Sequence, residues 1–173
     1  MRHTISLQLE DRFGDLQRII GLFSAKCLEI ESLSVSPTMD ANISCATIVT
    51  RGEERAIEQI VKLLNRQVRV LNAADITKLD CIEREMAFIK VKAKDEFEKQ
   101  KVLNLASLFN AKVADASNAC FIIEATGDRN TLRGLIDSLR PFGVEEVVRT
   151  GTVAIERLPE EPESLSADSA FRL

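Results

Sequence analysis

Leu22-Phe23-Ser24-Ala25-Lys26 recurs as Leu108-Phe109-Asn110-Ala111-Lys112, and the two copies lie 86 positions apart in a chain of 173 residues. Each copy stands where a helix-spaced run of apolar residues ends. A similar offset relates Ile5, Leu7 and Leu9 to Ile89, Val91 and Ala93. The chain therefore reads as two copies of one small unit. What one half carries and the other lacks then points to where function sits.

Within the first half, Ile5, Leu7 and Leu9 alternate as in a strand. Leu16, Ile19, Ile20, Phe23 and Cys27 follow at helical spacing and are expected to share one apolar face. Ile30 to Val35 reads as a strand stopped at Pro37, and Ile43 to Thr50 as a second, rich in β-branched residues. Ile57, Ile60, Val61 and Leu64 mark another amphipathic helix, and Val68 to Leu71 begins a closing strand. The second half repeats this order. Met86 to Ala93 is a strand, and Val102, Leu105, Ala106 and Phe109 form a helical stripe. Ala111 to Ser117 and Ala119 to Thr126 are paired strands around a tight turn at Asn118. Leu132, Leu135, Ile136 and Leu139 form a helix stopped by Pro141. Val144 to Val153 closes the unit.

Both halves thus have the order βαββαβ. The expected fold class is α+β, with two tandem ferredoxin-like units: four antiparallel strands with two helices on one face of each sheet. The other face of each sheet needs solvent or a partner. Units of about 75 residues are small for independent stability, so packing against another copy is expected.

The composition agrees with a folded cytoplasmic protein. Net charge is −4, and no basic stretch stands out. No apolar run approaches the roughly 20 residues of a membrane helix. Met1-Arg2-His3-Thr4 leads directly into a strand, so no signal peptide is expected. Cys27, Cys45, Cys81 and Cys120 are widely spaced in largely apolar surroundings, which predicts reduced core thiols and no metal site. From Glu156 onward the chain turns acidic and Pro-rich, as in Pro159-Glu160-Glu161-Pro162-Glu163. Residues 158–173 are expected to be a mobile tail.

A fold of this kind serves many functions. RNA-binding domains of the same order stack bases on sheet aromatics. This chain has no Trp and no Tyr, and its net charge is negative. Ile43 to Thr50 contains no aromatic residue, so nucleic acid is excluded as a partner. Nothing points to an enzyme either. His3 is the sole histidine and is expected to be a solvent-exposed end residue. Gly14, Gly21 and Gly52 match no phosphate loop. Glu53-Glu54 reads as a helix start.

A sensor or regulatory chain remains. The first strand-to-helix turn reads Glu10-Asp11-Arg12-Phe13-Gly14-Asp15-Leu16. Its counterpart, Lys94-Asp95-Glu96-Phe97-Glu98, has no glycine. A glycine there allows close ligand approach or a positive φ. The N–H groups of the following helix would favour a carboxylate. Two readings stay open: a ligand-binding turn, or a turn that is merely tight.

Gly14-Asp15-Leu16-Gln17-Arg18-Ile19-Ile20-Gly21-Leu22-Phe23-Ser24, followed by Ile30-Glu31-Ser32-Leu33-Ser34-Val35-Ser36-Pro37-Thr38, resembles the small regulatory subunit of acetolactate synthase. Glu83-Arg84-Glu85 and Arg149-Thr150-Gly151 match as well, and the resemblance extends over residues 1–157. It implies an ACT domain at residues 1–77 and an ACT-like domain at 78–157. It implies no catalysis and no cofactor in this chain. The family pairs as homodimers and activates a large catalytic subunit carrying thiamine diphosphate, Mg and FAD. In many members it also brings feedback inhibition by valine, as part of branched-chain amino-acid biosynthesis.

The family's effector pocket lies between protomers. By position the matching residues are Asp11, Gly14 and Asp15 on one side, with Glu29 and Ile30 on the other. Valine-sensing relatives carry Asn where Asp11 and Glu29 stand, and a small residue where Asp15 stands. Ionised carboxylates only accept hydrogen bonds, and they repel a ligand carboxylate. The resemblance therefore implies retained activation with weak or lost valine binding. The alternative is a free-standing ACT-type sensor of another small ligand.

Overall fold

The structure is a computed structural model, and it describes residues 1–10 and 14–158. The chain divides into two compact units. One comprises Met1–Ile82 with the described residues from Ala154 on, and the other is Glu83–Val153.

In the first unit, β1 (Arg2–Glu10), α1 (Asp15–Ala25), β2 (Glu29–Pro37), β3 (Ile43–Arg51), α2 (Glu54–Leu64) and β4 (Val70–Asp75) follow in order. Their sheet runs β2-β3-β1-β4. All its ladders are antiparallel. The second unit has β5 (Cys81–Lys92), α3 (Glu96–Leu108), β6 (Lys112–Ala116), β7 (Cys120–Gly127), α4 (Arg129–Leu139) and β8 (Val144–Arg149). Its sheet runs β6-β7-β5-β8, and the short β9 (Val153–Glu156) pairs with β5. The two sheets share one topology, as the βαββαβ reading requires.

Strand alternation builds each core. Ile5, Leu7 and Leu9 of β1 meet Ala46 and Ile48 of β3 beneath Ile19, Phe23, Ile57, Ile60 and Leu64 of the helices. Ala87, Ile89 and Val91 of β5 do the same with Phe121, Ile123, Val102, Leu132, Leu135 and Leu139. Each fully buried aliphatic side chain stabilises its unit by about 1.5–3 kcal/mol.

Hydrogen bonding sets the equivalence of the two units, and it differs from the sequence repeat. Ile76 N–H donates to Thr4 C=O, and Thr150 N–H donates to Met86 C=O; the acceptors stand 82 positions apart. At the helix ends Leu28 N–H donates to Phe23 C=O and Ala111 N–H to Ala106 C=O, an offset of 83. Cys27 and Asn110 hold the matching left-handed positions, with φ of 54° and 52°. These are the same helix-terminating motif, in which a left-handed residue lets the chain turn back on the last carbonyls. The recurrence at 86 is thus three residues out of structural register, although the duplication it suggested stands. The match of Ile5 to Ile89 is likewise out by two, which preserves the sheet face because strand periodicity is two.

Other expectations need correction. α1 buries Asp15, Ile19 and Phe23. Ile20 and Cys27 are exposed. The helix is rotated so that positions 15, 19 and 23, four apart, point inward, and Cys27 lies beyond its end. β4 begins at Val70, and Val68 is almost fully exposed in the connection before it. The four cysteines are free thiols, but none belongs to the buried core. Burial still pushes the Cys45 thiol up. His3 is only 1% exposed, with Nδ1 3.0 Å from Asp75 Oδ2. It stands second in the β1–β3 ladder, opposite Thr50 and beside Asp75. The expected tail, apart from Leu158, lies outside the described residues.

Candidate functional site

Gly14 ends the turn after β1 and stands at the N-cap of α1 with φ 90° and ψ −8°. A Cβ there would meet nothing within 4 Å. The glycine is therefore needed for its left-handed backbone and not for space within the protomer. The helical ladder starts with Arg18 N–H donating to Gly14 C=O at 3.3 Å. The N–H groups before it belong to the first turn, and Gly14 has no side chain to cap them.

The second unit closes the same kind of helix start with its own carboxylate. Asp95 Oδ1 accepts from Glu98 N–H at 2.8 Å, and Glu98 Oε2 accepts from Lys94 N–H at 2.8 Å. The pair resembles a capping box, except that Glu98 reaches the N–H of Lys94, one residue before the N-cap Asp95. Asp128 caps α4 likewise, accepting from Thr131 N–H at 2.7 Å. That bond, first among its influences, holds the Asp128 carboxyl below its usual range. The difference between halves is physical: Asp95 caps α3 with a carboxylate, whereas the N-cap residue of α1 is Gly14, which has no side chain to do so.

Asp15, at the first position of α1, is 6% exposed. Arg69 Nη1 donates to its Oδ2 at 3.1 Å, and Arg18 Nη1 lies 3.9 Å from its Oδ1. These residues line a pocket of about 100 Å³ with Leu9, Ile19, Gln67 and Val70. The pocket lies beside the Gly14 turn, between α1 and the connection from α2 to β4. The Asp15 charge is accordingly balanced within the protomer, partly by Arg18 one turn on. Arg69, 54 positions away, is the stronger partner and was not legible.

Glu29 and Ile30 lie elsewhere, at the start of β2. Glu29 is exposed, and its carbonyl accepts from Thr50 Oγ1 at 2.7 Å. Ile30 packs against the first core. Neither lines the Asp15 pocket. The ladder slips between Ile30 and Ser32, leaving Glu31 as a bulge paired with Arg51. Asp11 lies outside the described residues. Within one protomer, then, Gly14 and Asp15 are brought together, while Glu29 and Ile30 are not joined to them.

The chain is thus a tandem of two ferredoxin-like units in which Gly14 leaves the start of α1 without a side-chain cap and Asp95 caps the matching helix α3. The family description "AHAS small subunit-like ACT domain" matches residues 5–72, and "Small subunit of acetolactate synthase" matches residues 84–158. The chain is 38% identical over 157 residues to a probable acetolactate synthase small subunit of Archaeoglobus fulgidus, covering 91% of this chain and 98% of that one. It is 37% identical over 158 residues to the acetolactate synthase small subunit of Bacillus subtilis, covering 91% of both. The crystal structure of the Thermotoga maritima small subunit superposes with a TM-score of 0.84 at 32% identity, covering 92% of this chain and 99% of that one.

The chain belongs to the acetolactate synthase small-subunit family. It is a non-catalytic regulatory subunit of branched-chain amino-acid biosynthesis, associating with the large subunit. Among the described residues, no helix is long and apolar enough to cross a membrane.

Proposed function

We propose that this chain forms a homodimer, binds the large subunit of acetolactate synthase in the cytoplasm and raises its activity, with valine feedback weak or lost. Thiamine diphosphate, Mg and FAD belong to that catalytic partner. The observation that carries the reading is the similarity to small subunits across both units, over nine-tenths of the chain. Residues 1–77 serve as the ACT domain and 78–157 as the second regulatory domain, with 158–173 an appendage.

The dimer forms through the first unit. β2 is an edge of its sheet, with Val35 exposed on it, and α1 exposes Ile20. An edge strand offers unpaired N–H and C=O groups to a second copy. Side-by-side pairing brings Asp11, Gly14 and Asp15 of one protomer toward Glu29 and Ile30 of its partner. The Arg69 partner of Asp15 removes one source of repulsion, so the weakened valine affinity rests on Asp11 and Glu29.

The test is co-purification. Untagged chain and affinity-tagged cognate large subunit, produced together, should elute together at a fixed ratio. Failure to associate would favour a free-standing sensor acting on another enzyme.

A further inference from the structure

α4 carries a basic stripe that the turn site does not use. Arg129, Arg133, Ile136 and Arg140 recur at helical spacing, so they share one face. Leu132, Leu135 and Leu139 on the opposite face are sunk in the core of the second unit. The backbone bearing the stripe is therefore firmly seated. Arg149, at the end of β8, adds a fourth guanidinium.

These residues line a concave space of about 660 Å³, completed by Asp137. Asp137 is shared: its Oδ2 is 3.7 Å from Arg133 Nε and its Oδ1 is 3.3 Å from Arg140 Nε. Arg149 is held from behind by Glu85, a buried carboxylate whose other oxygen accepts from Thr152 Oγ1 at 2.8 Å. One arginine is thus fixed in orientation, while the exposed side chains of Arg133 and Arg140 can swing onto a guest. Concentrating arginines around one carboxylate is unexpected on a chain of net charge −4.

We propose that this groove binds a small, multiply charged anion bearing phosphate or clustered carboxylate groups. Guanidinium forks match both groups bidentately. The volume lies in the range of small-molecule sites, yet the lining is polar, with Ile136 its one apolar residue. The groove is confined to one helix face and one strand end, which suits a compact guest better than an extended acidic segment. The proposal needs neither the Gly14 turn nor the large subunit, so it can fail without touching the reading above.

The test is calorimetry on the full chain in phosphate-free, low-salt buffer. Pyrophosphate and citrate serve as separate probes, which distinguishes phosphate from carboxylate ligands. Saturable binding of at least one probe, about one per chain and weakening as salt rises, is expected. Arg133→Gln with Arg140→Gln should weaken it about tenfold or more. The melting temperature should hold, because both side chains are largely exposed. Should the double variant lose stability, Arg140→Gln alone gives the same comparison.

The proposal is overturned if neither probe saturates, or if the variants bind as the parent does. It is equally overturned if the probes fail while the double variant no longer holds the large subunit, since the groove would then be a protein interface.

Discussion

Arg69 donates to Asp15 over 3.1 Å, joining the connection before β4 to the first residue of α1. Asp15 occupies an inward position of the helix, where Ile19 and Phe23 are the next two. A carboxylate on that face requires a cation, and among the described residues Arg69 lies nearer to it than Arg18. Replacing Arg69 by Ala should cost about 1–2 kcal/mol, because removing one partner leaves a buried carboxylate poorly compensated. Asp15→Asn should cost less. A urea-unfolding cycle of both single variants and the double should therefore be non-additive. Strict additivity would show that the two side chains do not interact in solution.

Gly14 has no Cβ clash to avoid, so its substitution reports backbone strain alone. Gly14→Ala should destabilise the first unit by about 1 kcal/mol, the typical cost of a left-handed non-glycine residue. Gly21, mid-helix and similarly open, should instead gain up to about 1 kcal/mol on change to Ala. Thermal unfolding of the two variants should move in opposite directions. A shift of the same sign in both would contradict the assignment.

Asp128 caps α4 through Thr131 N–H. Asp128→Ala should cost about 1 kcal/mol. Its carboxyl is held below the ordinary range when folded. The cap therefore contributes fully above the unfolded value, about 3.9, and its contribution fades as pH falls through the folded one. The stability gap between parent and variant should narrow in acid. A gap that is constant down to pH 2 would mean the carboxylate is not the acceptor.

Much of this was legible in the chain because periodicity reports faces. The strands and helices of both units follow from alternation and helical spacing. Register was not legible, since Leu22–Lys26 and Leu108–Lys112 are alike in letters yet sit three residues apart in the fold. The face of α1 is not legible either: Ile20 and Cys27 look like core, but Asp15 takes the inward position with the help of a distant arginine. Nothing beside His3 in the sequence signals that it is buried and not a solvent-exposed end residue, because its partner Asp75 lies 72 positions away. The basic groove is not visible as a charge run because its arginines are spread at turn spacing. A scan at the helical period would have found it. Of the turn residues, Gly14 takes the positive φ that a glycine at that position allows.

Valine offers one carboxylate and one ammonium. With Asp15 paired to Arg69, Asp11 and Glu29 would supply the repulsion, at about 1 kcal/mol for a 4 Å contact in water and several at lower effective dielectric. Calorimetry at neutral pH should show weak or no valine binding. Asp11→Asn with Glu29→Asn should recover some affinity. Micromolar binding by the unaltered chain would overturn this expectation.

Exposed Ile20 on α1 and the open edge of β2 should be covered in a dimer. Sedimentation at micromolar concentration should give twice the chain mass, and Ile20→Glu should shift the equilibrium toward monomer. A monomeric parent would remove the basis for a pocket shared between protomers.

The most direct measurement is the rate of acetolactate formation from pyruvate by the cognate large subunit, with and without this chain. The chain alone should produce none. Its addition should raise the rate saturably, and deleting residues 158–173 should leave most of that increase. Stable association with no change in rate, or no association at all, would contradict its role as an activating subunit.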